Sequence, residues 1–359
     1  MVHQGIQRPG IGTKPALEAS GTAFYVQTQL FLGGLTVDFL NVLFPVSGVK
    51  TNLLWPPWVA MVISFFTSMG GISGAFLLLP FQMSVLHYTA PSVSGTNHVF
   101  NIIAIPSAVY RYIKEGRMAW PLTWTIVIGT LPGVLLGYYI RVRFLPNPRV
   151  FKLFVGCVLL YIGMQLLRDL PWKAGLKSPG TKGLEEKFRE REGEGRRTYF
   201  AWPGAKIPSH ALVRTTSLSL KKIEYEFWGE HFSFNPLGMV TFASIVGIIG
   251  GTYGIGGGSI IAPFCVAVFR LPVHTIAGSA LMGTFITSVA GALVFTAMPA
   301  ARGCSAMPDW PLGVLFGIGG FVGLYLGARA QKFVSQKIIK VILSVVILLL
   351  AATYILQFF

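Results

Sequence analysis

The pattern Gly71-Ile72-Ser73-Gly74 with Pro80-Phe81 returns 183 residues later as Gly254-Ile255-Gly256-Gly257 with Pro263-Phe264, each copy inside an apolar segment of membrane length. Glycine runs interrupt a helix and expose backbone N–H and C=O groups. Hydrocarbon tolerates such backbone only where it is buried in protein or lines a polar cavity. Two matched interruptions therefore point to an internally duplicated membrane protein with a transport site at the breaks. The composition supports a membrane location: 53% of the residues are hydrophobic and only 12% charged, too little polar surface to solvate 359 residues as a soluble body.

Apolar runs of roughly 20 residues, the length that spans about 30 Å of hydrocarbon, lie near 58–80, 92–112, 121–141, 150–168, 237–265, 273–298, 311–329 and 338–358. A ninth, more polar stretch near 22–46 carries Gln27, Gln29, Asp38 and Asn41 and reads as an additional helix, spanning or interfacial. No small-x-small cleavage site follows a basic start closely, so the chain is expected to keep this segment.

The duplication extends beyond the glycines. Ala60, Val85 and Gly95 meet Ala243, Val268 and Gly278 without a gap. After small length changes Trp120-Pro121-Leu122 meets Trp310-Pro311-Leu312, the pair Gly133 and Gly137 meets Gly323 and Gly327, and Lys152 meets Lys340. The expected fold is an all-α integral membrane protein of two homologous four-helix repeats with Gly-broken helices, plus a small extramembrane β-containing insertion. The expected divisions are an N-terminal segment at 1–54, repeat 1 at 55–170, the insertion at 171–235 and repeat 2 at 236–359. Gly133, Gly137, Gly323 and Gly327 have the small-x-x-x-small spacing of close helix packing and are read as that.

A break at Gly71–Gly74 or Gly254–Gly258 is not explained by packing alone, because two glycines in four residues in the first and four in five in the second each lower helix propensity by about 1 kcal/mol relative to Ala. It creates a new helix N-terminus near Ala75 or Ser259, whose N–H groups and partial positive charge suit an anion. The spans hold almost no Asp or Glu, which disfavours a cation substrate. They offer neutral donors instead: Ser64, Thr67, Ser68, Ser73, Ser94, Thr96, Asn97, His98 and Asn101 in the first half, and Thr252, Ser259, Ser279, Thr284, Thr287 and Ser288 in the second. Such groups replace the hydration shell of a small oxyanion without a fixed cation to trap it.

The candidate substrate-binding residues are thus Gly71, Ser73, Gly74, Ala75, Thr96, Asn97, His98, Asn101, Gly254, Gly256, Gly257, Gly258, Ser259, Ser279 and Thr284. For a single Ser or Thr the competing reading is a hydroxyl bonded to its own helix carbonyl. For His98 it is packing, against a proton sensor or anion contact. Leu281 and Thr284 stand where the first half has His98 and Asn101, so the halves are not equivalent at the site.

The two signatures, each followed by a small-polar helix at Gly95 or Gly278, resemble the sulfite exporter (TauE/SafE) family, also called the toluene sulfonate uptake permeases, over about 58–170 and 236–359. The resemblance implies a carrier of a small sulfur oxyanion or sulfonate in the bacterial cytoplasmic (inner) membrane, acting in export. The first half departs from the pattern at Ser73 and Ala75, and the loop at 169–235 is longer than a connector. An anion channel, and a membrane scaffold or sensor acting through the insertion, remain as alternatives.

The expected partners are that anion and the lipid bilayer, with a homodimer left open as the assembly. Nucleic acid is not expected, because 13 of the 29 Lys and Arg lie between Arg168 and Lys222 and most others sit in short loops. An enzyme is not expected either: His87, His98 and His274 lack the spacing and the acids of a catalytic or metal site, and no cofactor is implied. Cys157, Cys265 and Cys304 read as packing residues. In Lys222–Trp228 apolar residues alternate, and Gly229-Glu230 then supplies a turn before His231–Phe234, so a β-hairpin is expected within an insertion at about 196–234. The basic loops at Arg141–Lys152 and Arg329–Lys340 favour parallel repeats, Arg111, Lys114 and Arg117 do not, and orientation stays open.

Overall fold

The computed structural model describes residues 40–69, 72–114, 116–168, 213–219, 221–227, 230–267, 269, 271, 273–297, 306–330 and 336–358. The expected helix at 22–46 lies mostly outside them, and its end is not helical. Residues Asn41–Leu43 (β1) pair antiparallel with Lys50–Asn52 (β2). Pro45 cannot continue a helix, and Gly48, at φ +69°, turns the chain back.

Ten helices follow among the described residues: α1 (Trp55–Met69), α2 (Ala75–Ser84), α3 (Ser92–Lys114), α4 (Trp120–Arg143), α5 (Pro148–Arg168), α6 (Pro236–Tyr253), α7 (Gly258–Ala267), α8 (Val273–Ala297), α9 (Trp310–Ala330) and α10 (Gln336–Leu356). The spans expected at 58–80 and 237–265 are each divided, at described residues 72–74 and 254–257, into a longer helix and a ten-residue helix. Pro80 sits inside α2 without ending it.

Among the described residues five helices are long and apolar enough to cross a membrane: Trp120–Arg143, Pro148–Gln165, Pro236–Tyr253, Thr275–Ala297 and Trp310–Ala330. Eight spans were expected. Two of the three differences are physical: α1 stops after 15 residues at the first interruption, and α3 spends its first half on Ser94, Thr96, Asn97, His98 and Asn101. The third, α10, is a 21-residue helix whose stretch Leu343–Leu356 is apolar.

The helices pack as α4 on α6, α1 on α9, α5 on α10, and α3 between α8 and α9. Two glycine seams make the first two pairings. Gly129, Gly133 and Gly137 lie on the backbone of α6, where a Cβ at Gly129 would stand 2.7 Å from Val240 O and one at Gly137 2.5 Å from Ile248 O. Gly319, Gly323 and Gly327 lie on α1, where any side chain would collide with Pro57 O, Met61 O and Phe65 O. Lipid tails are as apolar as leucine, so no hydrophobic gain favours helix association in a bilayer. Close backbone approach and dispersion supply it instead.

Two further devices fix the ends of this bundle. Asp309, fully buried, caps α9 by accepting from Leu312 N at 3.2 Å and holds the β1–β2 hairpin by accepting from Ser47 N at 2.9 Å. The expected β-hairpin is present and extended by one strand: Arg214–Leu218 (β3), Ile223–Phe227 (β4) and Glu230–Phe234 (β5) form an antiparallel sheet in the order β3-β4-β5. Its inner face of Ile223, Tyr225, Phe227, Phe232 and Phe234 is buried. The Tyr225 hydroxyl bonds Thr275 Oγ1 at 3.0 Å near the start of α8, and burial pushes its pKa upward. The rest of the insertion, 169–212, lies outside the described residues.

Gly133→Leu, which drives a side chain into the α6 backbone, should leave little folded protein in detergent. Gly238→Ala, whose nearest neighbours stand 3.9 Å away, should melt within about 1 °C of the parent, because surface changes of this kind stay within ~0.5 kcal/mol. Fluorescence-detected size-exclusion thermal melts separate the two outcomes.

Candidate functional site

The second interruption needs glycine for two separate reasons. Gly254 and Gly256 stand at φ +89° and +75°, in the left-handed region that residues with a Cβ rarely adopt. Gly254 N and Ile255 N both donate to Gly250 O, at 2.8 and 3.0 Å, which closes the last turn of α6. Gly257 and Gly258 are needed for space, since a Cβ at 257 would lie 2.5 Å from Thr130 Cγ2 and one at 258 would collide with Ala280 O.

The first interruption is built differently. Gly71 lies outside the described residues, and Gly74 has an ordinary helical φ of −58°. A side chain there would run into Ser64 Oγ. Residue 73 is not among the positive-φ positions, so a serine is allowed where the second half has Gly256. Ser73 Oγ accepts from Ala75 N at 3.3 Å, in the first turn of α2. Ala75 is itself fully buried.

One side chain joins the two breaks. Asn101, on α3, accepts from Ser73 Oγ at 2.5 Å and donates through Nδ2 to Ile255 O and Ser288 Oγ, both at 3.1 Å. Ser73, Asn101 and Ser288 have no exposed surface. The amide thus uses both N–H groups and one carbonyl lone pair. Gly256 packs beside Ser288 and Thr284, and Gly258 beside Thr284, so α8 forms the far wall. The structure therefore brings Ser73, Asn101, Gly256, Gly258 and Thr284 together, with the two halves of the chain meeting at a neutral lock.

Other expected site residues are placed around this lock. Gly254 packs on Ser94, whose hydroxyl donates to Tyr253 O at 3.2 Å. Tyr253 in turn donates to Phe76 O at 3.0 Å, with the rings of Tyr253 and Phe76 stacked at 6.1 Å. Thr96 bonds Tyr88, Ser92 O and Asp309 N, which serves the start of α9 rather than the breaks. Ser279 donates to Ala119 O at 3.1 Å, at the start of α4. Thr96, Ser279 and Thr284 also donate to their own helix at Ser92 O, Thr275 O and Ala280 O, the ordinary use of a buried hydroxyl. The Ser259 side chain lies outside the described residues.

His98 faces Gly291, where any Cβ would stand 2.7 Å from Nε2, and its ring sits 5.7 Å from that of Phe295. Both ring nitrogens are buried without a hydrogen bond. Asn97 accepts from Gln82 Nε2 at 3.2 Å, while Asn97 Nδ2 and Gln82 Oε1 are left buried and unpaired, as is Ser64 Oγ. Each such atom is destabilising by about 1–3 kcal/mol.

The sequence reading left three contributors out of the candidate site. Gln82 could have been found as a lone carboxamide in the apolar run 75–86, and Ser288 was legible only as one hydroxyl among several. The Ile255 carbonyl had no side-chain signal at all. Among the described residues no three His, Cys, Asp or Glu side chains converge to hold a metal ion.

The family model described as sulfite exporter TauE/SafE matches residues 58–354, and the chain belongs to that family. A curated relative, the "Probable membrane transporter protein YunE" of Bacillus subtilis (strain 168), is 23% identical over 290 residues, covering 79% of this chain and 90% of its own length. A second, the "Probable membrane transporter protein YjnA" of the same organism, is 22% identical over 109 residues, 30% of this chain and 42% of that protein. No solved structure matches at comparable significance. The family and the five long apolar helices make this a multi-pass membrane protein of a transporter family.

Asn101→Leu keeps the branched shape but removes the acceptor of the Ser73 hydroxyl and the donor to Ile255 O. The melting midpoint should fall by roughly 3–8 °C, for a loss of about 2–3 kcal/mol. Amide hydrogen exchange should quicken around residues 72–75 and 253–257, and unchanged protection there would show that Asn101 does not hold the breaks closed.

Proposed function

We propose that this TauE/SafE family member carries a small sulfur oxyanion or sulfonate across a bacterial cytoplasmic membrane, outward, with the anion bound where the two interruptions meet. The observation that carries the reading is the Asn101 lock: one neutral amide ties Ser73 of the first break to Ile255 and Ser288 of the second. Family membership and a relative named as a probable membrane transporter support the transport class.

The chemistry follows from what the lock is made of. Amide N–H groups, hydroxyls and backbone N–H groups can solvate an oxyanion without the deep well a lysine or arginine would create. The lock is wholly buried, and this favours a carrier that occludes its site over an open anion channel. Opening exchanges Ser73, Ile255 and Ser288 for the anion as partners of α3. The donor Nδ2 and the Ser73 hydroxyl are then free to face it.

The architecture belongs to the same proposal: four-segment repeats at 55–170 and 236–359, the first segment of each broken, between an N-terminal segment at 1–54 and an insertion at 171–235. The seams of α4 on α6 and α9 on α1 use glycines at equivalent spacing, which is the packing that two copies of one unit exchanging partners would make. Export needs no coupling ion, because an anion leaving a negative interior gains about 2.3 kcal/mol per charge per 100 mV, roughly a fifty-fold concentration ratio.

Purified protein in liposomes loaded with sulfite, thiosulfate, sulfate, sulfoacetate or taurine tests the reading. An inside-negative voltage should speed efflux of one or more of the four anions, though not of zwitterionic taurine, with saturation. Asn101→Leu should cut the rate at least tenfold, while Gly238→Ala transports like the parent. Anion flux that is absent in the parent, or unaltered by Asn101→Leu, would sink the site assignment.

A further inference from the structure

We propose that Gln82 and Asn97 form a second polar station for the transported anion, one that selects anions carrying a hydrogen-bond donor of their own. The inference rests on the transport reading above but uses residues outside the lock. Gln82 ends the apolar helix α2 and Asn97 begins α3, and both are completely buried. They share one hydrogen bond of 3.2 Å, from Gln82 Nε2 to Asn97 Oδ1. Gln82 Oε1 and Asn97 Nδ2 remain without partners.

The surplus has a definite chemistry. Turning both amides over exchanges the roles of the two residues but leaves the same remainder, one carbonyl acceptor and one NH2 donor side by side. A fully deprotonated anion satisfies only the donor. A hydrogen oxyanion, or a sulfonate bearing an ammonium group, accepts from the NH2 and donates to the carbonyl. Asn97 precedes Asn101 by four residues on α3, one turn or about 6 Å away on the same face, so the station continues the lock along one helix.

The fold does not require the amide pair. In the 183-residue register Cys265 and Ala280 occupy the same two positions, and the hairpin of α7 and α8 forms with them, both buried. An amide pair with unpaired atoms is therefore a departure from a working apolar solution. A permanently trapped water would pair the same atoms, and it predicts no effect on anion preference.

Isothermal titration of sulfite, methanesulfonate and taurine into the detergent-purified full chain decides the matter. The parent should bind sulfite or taurine about three- to tenfold more tightly than methanesulfonate, the worth of one net hydrogen bond. A sulfite preference that fades as pH rises and the hydrogen form is lost identifies a hydrogen oxyanion. A taurine preference identifies an amino sulfonate.

In the double variant Gln82→Cys with Asn97→Ala the preference should fall to about onefold, with methanesulfonate weakened about three- to tenfold by the loss of its one donor and sulfite or taurine weakened more. Equal binding of all three anions by the parent, absence of binding, or a preference that survives the double variant would overturn the station. Should the double variant not fold, Gln82→Glu sets a carboxylate at the acceptor position and should weaken methanesulfonate, which has no donor to offer it, at least tenfold while taurine, whose ammonium can pair with it, is not weakened; unchanged affinity for methanesulfonate refutes the proposal. Loss of flux in Asn101→Leu with unaltered binding preference in the double variant would leave the lock standing and remove the station alone.

Discussion

An amide placed in hydrocarbon can bond only to the protein itself, and that constraint governs this structure. A chain that interrupts two of its helices must find partners for the exposed backbone from within the bundle. Asn101 supplies one of them at Ile255 O, and it engages Ser73 with its remaining capacity. The arrangement works only if α3 stands close to both breaks at once. Glycines facing α3 provide this: Gly313, Gly317 and Gly320 of α9 lie against Val99, Ile103 and Phe100, and Gly254 lies on Ser94, so a short side chain on α3 reaches both.

Much of this was legible in the residues, for reasons that differ by position. Gly254 and Gly256 could be read as a break because a positive φ leaves a compositional trace, and Gly133 and Gly323 as packing because small-x-x-x-small spacing leaves another. Partner choice leaves none. Nothing in the sequence says that Asn101 reaches the Ile255 carbonyl 154 residues away, or that Thr96 and Ser279 serve the starts of α9 and α4 instead of the breaks. The helix expected at 22–46 gave way at its end to a hairpin because apolar content outweighed Pro45 and Gly48 in the reading, although both are turn formers. Asp309 was passed over because a buried N-cap and an exposed loop acid look alike in sequence.

The two breaks divide the work between them. The first half spends side chains at the matched positions, with Ser73, Gln82, Asn97, His98 and Asn101 set against Gly256, Cys265, Ala280, Leu281 and Thr284 in the second. The second half spends backbone freedom, with two left-handed glycines flanking the carbonyl that Asn101 holds. A carbonyl between two such residues can swing away with small changes in neighbouring torsions, since glycine crosses between φ regions at little steric expense. Side-chain donors on a regular helix keep their positions while it does so.

That division suits the proposed anion site, which would have to exclude and then admit a negative charge. With the lock shut, the Ile255 oxygen points at the amide and would repel an anion there. On the proposed reading, rotation of that peptide would remove the repulsion and release the Asn101 N–H group in one movement. The electrostatic sign there would then be set by a backbone torsion, since Ser73, Asn101, Ile255 and Ser288 carry no charge. Binding on that reading would be shallow, because a neutral amide attracts an oxyanion less than a guanidinium does, and a shallow site is one from which a transported anion could leave.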